Sequence, residues 1–223
     1  MGKRHQISLF YYLKPAIILI AVIRKPYSAA MVKYLFWFPE FKTVVKLLNE
    51  GKNIGEIKML NETENLFNAR TAYRGKTIFN AIAARIEVIP QDFIELCVKT
   101  DISSQKLIAV IAVMAAESLF YDFMYEVYRE KLLMGDKTMT ASDFAQFFRN
   151  KQVQDEKVAA WIDITFNRLG WAYRNVLLSS SLIKNHKKNE WTIEKPVINR
   201  QLTGVLYKEK MEAFYTALTG ETL

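Results

Sequence analysis

From Phe41 onward, apolar residues recur at steps of three and four, the period of helices that bury one face. In FKTVVKLLNE (Phe41–Glu50) the apolar positions are Val44, Val45 and Leu48, and Gly51 follows as a stop. A short helix is predicted over Ile54–Leu60, then the polar linker NETEN. The stretch NLFNARTAYRGKTIFNAIAARI (Asn65–Ile86) is predicted as a helix with Ile78, Phe79, Ile82 and Ile86 on its core side. Pro90 opens a short helix carrying Phe93, Ile94 and Cys97. The longest helix is predicted from Gln105 to Leu133, started by the caps of Asp101–Ser104 and ended by Gly135. Thr140 and Asp143 have capping-box spacing ahead of Phe144, Phe147 and Phe148. Helices over Asp155–Trp161 and Ile164–Ser180 follow. SLIKNHKKNEWTIEKP then places apolar residues on either side of a polar tip, a β-hairpin pattern. A last helix is predicted over Arg200–Leu218.

These elements predict a mainly α fold of two small helical modules with helix-turn-helix-like parts and a short hairpin wing near the C-terminus. The division is into an N-terminal extension (1–25), an N-terminal helical domain (26–135) and a C-terminal winged-helix-like domain (136–223). In the winged arrangement the helix of Ile164–Ser180 lies in a major groove, which admits one α-helix, and the hairpin touches adjacent phosphates.

Composition agrees: eight glycines and five prolines among 223 residues are few for a turn-rich sheet protein. Cys97 is the sole cysteine, which excludes an intrachain disulfide and points to a reducing, cytoplasmic setting. The apolar run Pro15–Ile23 covers nine residues, about half of a membrane span, and Lys14 interrupts its extension, so a membrane role is not expected.

Charge changes the picture more. The formal net charge is +8, and Lys3, Arg4, Lys14, Arg24 and Lys25 supply five positive charges in a stretch without acids. The remainder holds 26 basic against 23 acidic residues, so its basic character is local. One patch is the helix with Arg70, Arg74, Lys76 and Arg85, where Arg70, Arg74, Thr77, Ala81 and Arg85 share a stripe without acidic partners at helical spacing. Asn68, Thr71, Tyr73 and Thr77 surround these arginines with groups that contact phosphate and sugar. A second patch comprises Arg168, Arg174 and the hairpin lysines Lys184, Lys187 and Lys188. These nine cations are the candidate DNA-binding residues, with a nucleic-acid phosphate backbone as the expected partner.

Catalytic patterns are sparse. Two histidines and one cysteine cannot assemble a Cys/His zinc site, and no glycine-rich phosphate loop occurs. Cys97 reads as a buried inert thiol and His186 as an exposed loop residue. The acidic stripe Asp122, Glu126, Glu130 reads as a solvated or salt-bridged helix face, given Arg129 and Lys131 nearby. No catalytic or metal residue, cofactor or small-molecule substrate is expected.

KPYSAA (Lys25–Ala30), FWFPEFKTVVKLLNEGKNIGEIK (Phe36–Lys58), ENLFNARTAYRGKTIFNAIAARI (Glu64–Ile86), LFYDFMYEVYREKL (Leu119–Leu132) and FFRNKQVQDEKVAAWIDITFNRLG (Phe147–Gly170) resemble, in order and spacing, the BrxA family of bacteriophage exclusion (BREX) phage-resistance systems. The resemblance runs over roughly residues 25 to 215 and leaves the opening stretch outside it. It implies small, mostly helical, two-part proteins that bind double-stranded DNA without known catalysis, acting beside the methyltransferase, ATPase and other BREX components. Two other functions stay open: a protein-interaction adaptor within the BREX complex, and an RNA-binding factor of the antitermination type.

Overall fold

The structure, a computed structural model, describes residues 25–223; the basic, apolar stretch before Lys25 lies outside them. A 3₁₀ turn (Ala30–Val32) leads into α1 (Phe38–Asn49), which buries Phe41, Val44 and Val45. α2 (Ile54–Glu64) starts with a capping box between Asn53 and Glu56. α3 spans Ala72–Ile86, seven residues shorter at its start than the period predicts. Asn65 and Asn68 take left-handed backbone angles, and the Asn65 side chain bonds both the N–H and the carbonyl of Ala69. Asparagine tolerates that conformation, so NLFNAR closes as a turn. Thr71 then caps α3 by accepting from the Arg74 N–H at 3.1 Å. Arg70 therefore stands just before the helix rather than on it.

α4 (Gln91–Lys99) precedes α5 (Ile102–Ala116), whose first amides bond the Asp101 carboxylate at 2.8 and 3.0 Å. The single long helix predicted over 105–133 is broken. At Glu117 the backbone turns extended (φ −127°, ψ 92°), and the next helical stretch departs at 115°. That stretch comprises α6 (Ser118–Phe123), a π-helical turn (Met124–Tyr128) and α7 (Arg129–Met134), which ends at Gly135 with φ 73°. α5 is apolar all round, and the bend lets both limbs bury their surfaces in one core. Among the described residues no single helix is long and apolar enough to cross a membrane.

β1 (Thr138–Thr140), which the sequence pattern does not predict, precedes α8 (Ala141–Gln154), the short α9 (Glu156–Ala159) and α10 (Asp163–Ser179). The predicted hairpin follows as β2 (Ile183–Lys187) and β3 (Glu190–Ile193). The sheet is antiparallel in the order β1–β3–β2, pairing Met139 with Trp191 and Ile183 with Ile193. The predicted terminal helix is two, α11 (Arg200–Lys208) and α12 (Glu212–Thr219), separated at Lys210 with φ 55°.

Buried side chains from both the 26–135 and the 136–223 segments belong to one cluster. Phe123 is central to it, stacked on Phe144 at 4.8 Å and tilted against Tyr173 at 5.4 Å. Lys151 of α8 is buried beside it and donates to Asp122 Oδ2 (3.1 Å) and Glu126 Oε1 (2.6 Å), while the Tyr27 hydroxyl donates to Asp122. Glu130 pairs with Arg129 at 2.7 Å. The acidic stripe is thus salt-bridged, and Asp122 is buried rather than solvated.

Candidate nucleic-acid interface

The cationic stripe on α3 does not stay on the surface. Arg74 and Arg85 share it, about three turns apart. At its exposed end, the Arg74 guanidinium lies 5.0 Å from the centre of the Trp37 ring. At the other end Arg85 is 2% exposed and donates to the carbonyls of Phe36 and Leu35, each at 2.8 Å. Both arginines thus grip one segment, Leu35–Trp37. Burial lowers the Arg85 pKa to about 10, with Glu117 and Tyr34 acting in the opposite sense, so it stays charged at neutral pH. Arg85 is therefore removed from the candidate DNA contacts: a guanidinium enclosed by backbone carbonyls has no path to a phosphate. Ala81, on the same stripe, is buried as well.

Beside Arg85, Glu117 sits at the α5–α6 break. Burial raises its pKa to about 7, against the opposing pull of Arg85 and Lys25. The Cys97 thiol is buried and raised to about 11, as suits an inert packing residue.

Arg70, Arg74 and Lys76 remain exposed around the start of α3. On α10, Leu169, Tyr173 and Val176 face the core, leaving Arg168 exposed and Arg174 partly exposed. The Arg174 guanidinium lies 5.0 Å from the centre of the Trp191 ring, on β3. Arg174, Arg149, Gln152 and Asn167 line a groove of about 410 Å³ between α8 and α10, with Phe144 and Phe148 in its walls. Trp171 borders that groove and also a second hollow of about 360 Å³, where it meets Lys33, Tyr73 and Arg74. Trp171 thereby links the hollow that holds Arg74 to the groove that holds Arg149 and Arg174, which Asp163 also lines, whereas Arg70, Lys76 and Arg168 border neither. None of Lys33, Arg70, Arg74, Lys76, Arg149, Arg168 and Arg174 is in an ion pair among the described residues.

The hairpin lysines differ from one another. Lys184 pairs with Glu194 and Lys187 with Glu190, each at 3.0 Å, while Lys188 is exposed without an ion pair among the described residues. The partners stand at the start of β3 (Glu190) and just after its end (Glu194), so the hairpin region neutralises part of its own charge. Sequence reasoning missed Lys33 and Arg149. Lys33 is isolated in the sequence and carries no signal. Arg149, just after Phe147 and Phe148 on a capped helix, was recoverable from the period, since it must turn away from that core side.

Known proteins agree with this architecture. A crystal structure of an uncharacterized protein from Magnetospirillum magneticum has the same fold, with a TM-score of 0.74 over 88% of this chain and 100% of that one, at 17% identity. A protein of Bacillus cereus (strain H3081.97) named BREX protein BrxA is 39% identical over 162 residues, which is 73% of this chain and 80% of that protein. The BrxA family model matches residues 25–210. On that match and that identity, the chain belongs to the BrxA family.

Proposed function

We propose that this chain is a non-enzymatic, cytoplasmic component of a bacteriophage exclusion system that binds double-stranded DNA, mainly through its phosphates, and works with other BREX components. Family membership supports the biological role, through the name that the Bacillus cereus relative carries. The observation that carries DNA binding is the pair of adjoining hollows, joined at Trp171, that gather Lys33 and Arg74 in one and Arg149 and Arg174 in the other. None of the four is in an ion pair among the described residues, although Asp163 also lines the second hollow. Such a surface releases condensed counterions when it neutralises phosphates.

The order β1–α8–α9–α10–β2–β3, with β3 central in the sheet, supports a winged helix-turn-helix in which α10 is the recognition helix. Its N-terminal half presents Ile164, Asn167 and Arg168 to solvent, the half that reaches base edges in this mode. Further along, Asn175 accepts from the Phe36 N–H at 3.4 Å, so the chain before α1 covers that part.

The test is a gel-shift salt titration on unrelated duplexes. With about four to six phosphates neutralised, log K falls against log salt with a slope of about −4 to −5. A slope near zero, or no binding at micromolar protein, refutes the proposal. Direct competition between duplex DNA and structured RNA decides against the antitermination-type alternative. The adaptor alternative has one feature in its favour, an apolar groove of about 720 Å³ lined by Phe38, Pro39, Val45, Val98 and Ile102, with Lys42 and Lys46 at its edge. Pull-down of BREX components after nuclease treatment separates it.

A further inference from the structure

The hollow beside Trp171 has a composition that phosphate neutralisation alone does not call for. It is lined by Lys33, Leu35, Tyr73, Arg74, Thr77 and Trp171, and measures about 360 Å³. Its two large rings are left to solvent: Tyr73 is 75% and Trp171 48% exposed. A single exposed aromatic ring is ordinary on a protein surface, but here two such rings line one small concavity. Both are set from rigid helices, Tyr73 from the capped first turn of α3 and Trp171 from the middle of α10. The Arg74 guanidinium lies over the Trp37 ring, 5.0 Å from its centre, which fixes one cation at the wall, and exposed Lys33 provides a second. Two ring faces for a base, with two cations for its phosphate, are the parts of a site for one unpaired nucleotide. The volume lies at the lower end of small-ligand pockets, in keeping with a single base and its sugar phosphate.

We infer that the hollow between α3 and α10 holds one unpaired nucleotide, its base stacked on Tyr73 or Trp171 and its phosphate met by Arg74 and Lys33. The inference rests on the duplex-binding proposal and adds a ligand class to it: a base that has left the stack, as at a bulge, a mismatch or a strand end. Such a base costs least to extrude where its pairing is already lost, so damaged or imperfect duplexes are the preferred targets. A free nucleotide offers the same ring and phosphate.

The experiment compares the full chain on an intact duplex and on the same duplex carrying one bulged adenine. The bulged duplex binds tighter by a factor between about five and about 150, the range that one base stacked on an aromatic ring contributes. In Trp171→Leu and Tyr73→Leu, the ratio of the two affinities falls toward one, with circular dichroism confirming the fold. A parallel titration with dAMP, followed by tryptophan fluorescence in the wild type and in Trp171→Leu, tests the free nucleotide. Saturation in the wild type alone supports the site for that source. Equal affinity for both duplexes together with no dAMP response overturns the nucleotide site and leaves duplex binding standing. Failure to bind either duplex overturns the proposed function instead, and the site for a strand-borne base with it.

Discussion

Arg85→Met separates a structural arginine from Arg74, the one proposed to contact DNA on the same helical stripe. The substitution keeps most of the methylene packing and removes the guanidinium. It leaves the carbonyls of Phe36 and Leu35 without the donors that reach them at 2.8 Å. A buried acceptor that loses its partner costs about 1–3 kcal/mol. The Phe36 carbonyl is enclosed, whereas the Leu35 carbonyl is partly open and regains water, so the first carries most of the cost. Against this, the variant no longer buries a charge, which offsets part of the loss. The net expectation is a destabilisation of about 1–2 kcal/mol, equal to a fall in Tm of about 2–8 °C for a chain of this size. Arg85→Lys, which can reach one carbonyl, falls between variant and wild type. Thermal and urea unfolding measure the effect, and a salt titration of DNA binding on the same folded protein completes the assay. The slope of log K against log salt stays at the wild-type value, because Arg85 meets no phosphate. An unchanged Tm with a slope reduced by about one, the signature of a lost phosphate contact, would refute the placement of Arg85.

The surface cations behave in the opposite way. Arg74→Ala and Arg174→Ala each reduce the salt slope by about one, while stability changes by about 1 kcal/mol or less, the scale of an exposed cation–π contact. Lys188→Ala reduces the slope more than Lys187→Ala does, because Glu190 already serves Lys187 as counterion at 3.0 Å; equal effects in the titration would contradict the pairing. Glu117 has its folded-state pKa raised to about 7, so the folded protein keeps a proton that the unfolded chain sheds near 4.5. Stability therefore falls as pH rises through that window, by about 3 kcal/mol at most, and Glu117→Gln flattens the decline in urea unfolding compared at about pH 5 and about pH 8.

Much of the helical order was legible because its signals are local. Thr140 with Asp143, Asp101 before Ile102 and the left-handed Gly51 and Gly135 all act within one turn of the residues they stop or start. The bend at Glu117 left no such mark. It has no proline or glycine, and the apolar pattern runs unbroken on both sides because both limbs are buried. The turn at Asn65–Thr71 was hidden for a different reason: its residues also fit a helical period, and only the two asparagines hinted at left-handed backbone. β1 is too short to show alternation, and it exists because β3 offers it an edge.

The site was legible as a set of residue types and illegible as a surface, and α3 shows why. Periodicity assigns residues to a stripe but does not say where along the helix axis another segment crosses it. Here the chain before α1 crosses between Arg74 and Arg85. The part beyond the crossing is enclosed and the part before it is left to solvent. The two ends are nonetheless linked. Arg85 fixes the carbonyls of Leu35 and Phe36, the next residue is Trp37 with a left-handed φ of 47°, and its ring is the platform on which Arg74 lies. A non-glycine residue at that angle persists where its surroundings hold it, and Arg85 supplies two of the restraints. The buried arginine therefore governs how well the exposed one is aimed without touching the ligand. In Arg85→Met, affinity at low salt drops as the Trp37 platform loosens, while the salt slope keeps its value. A loss of intercept without loss of slope distinguishes a positioning residue from a phosphate contact.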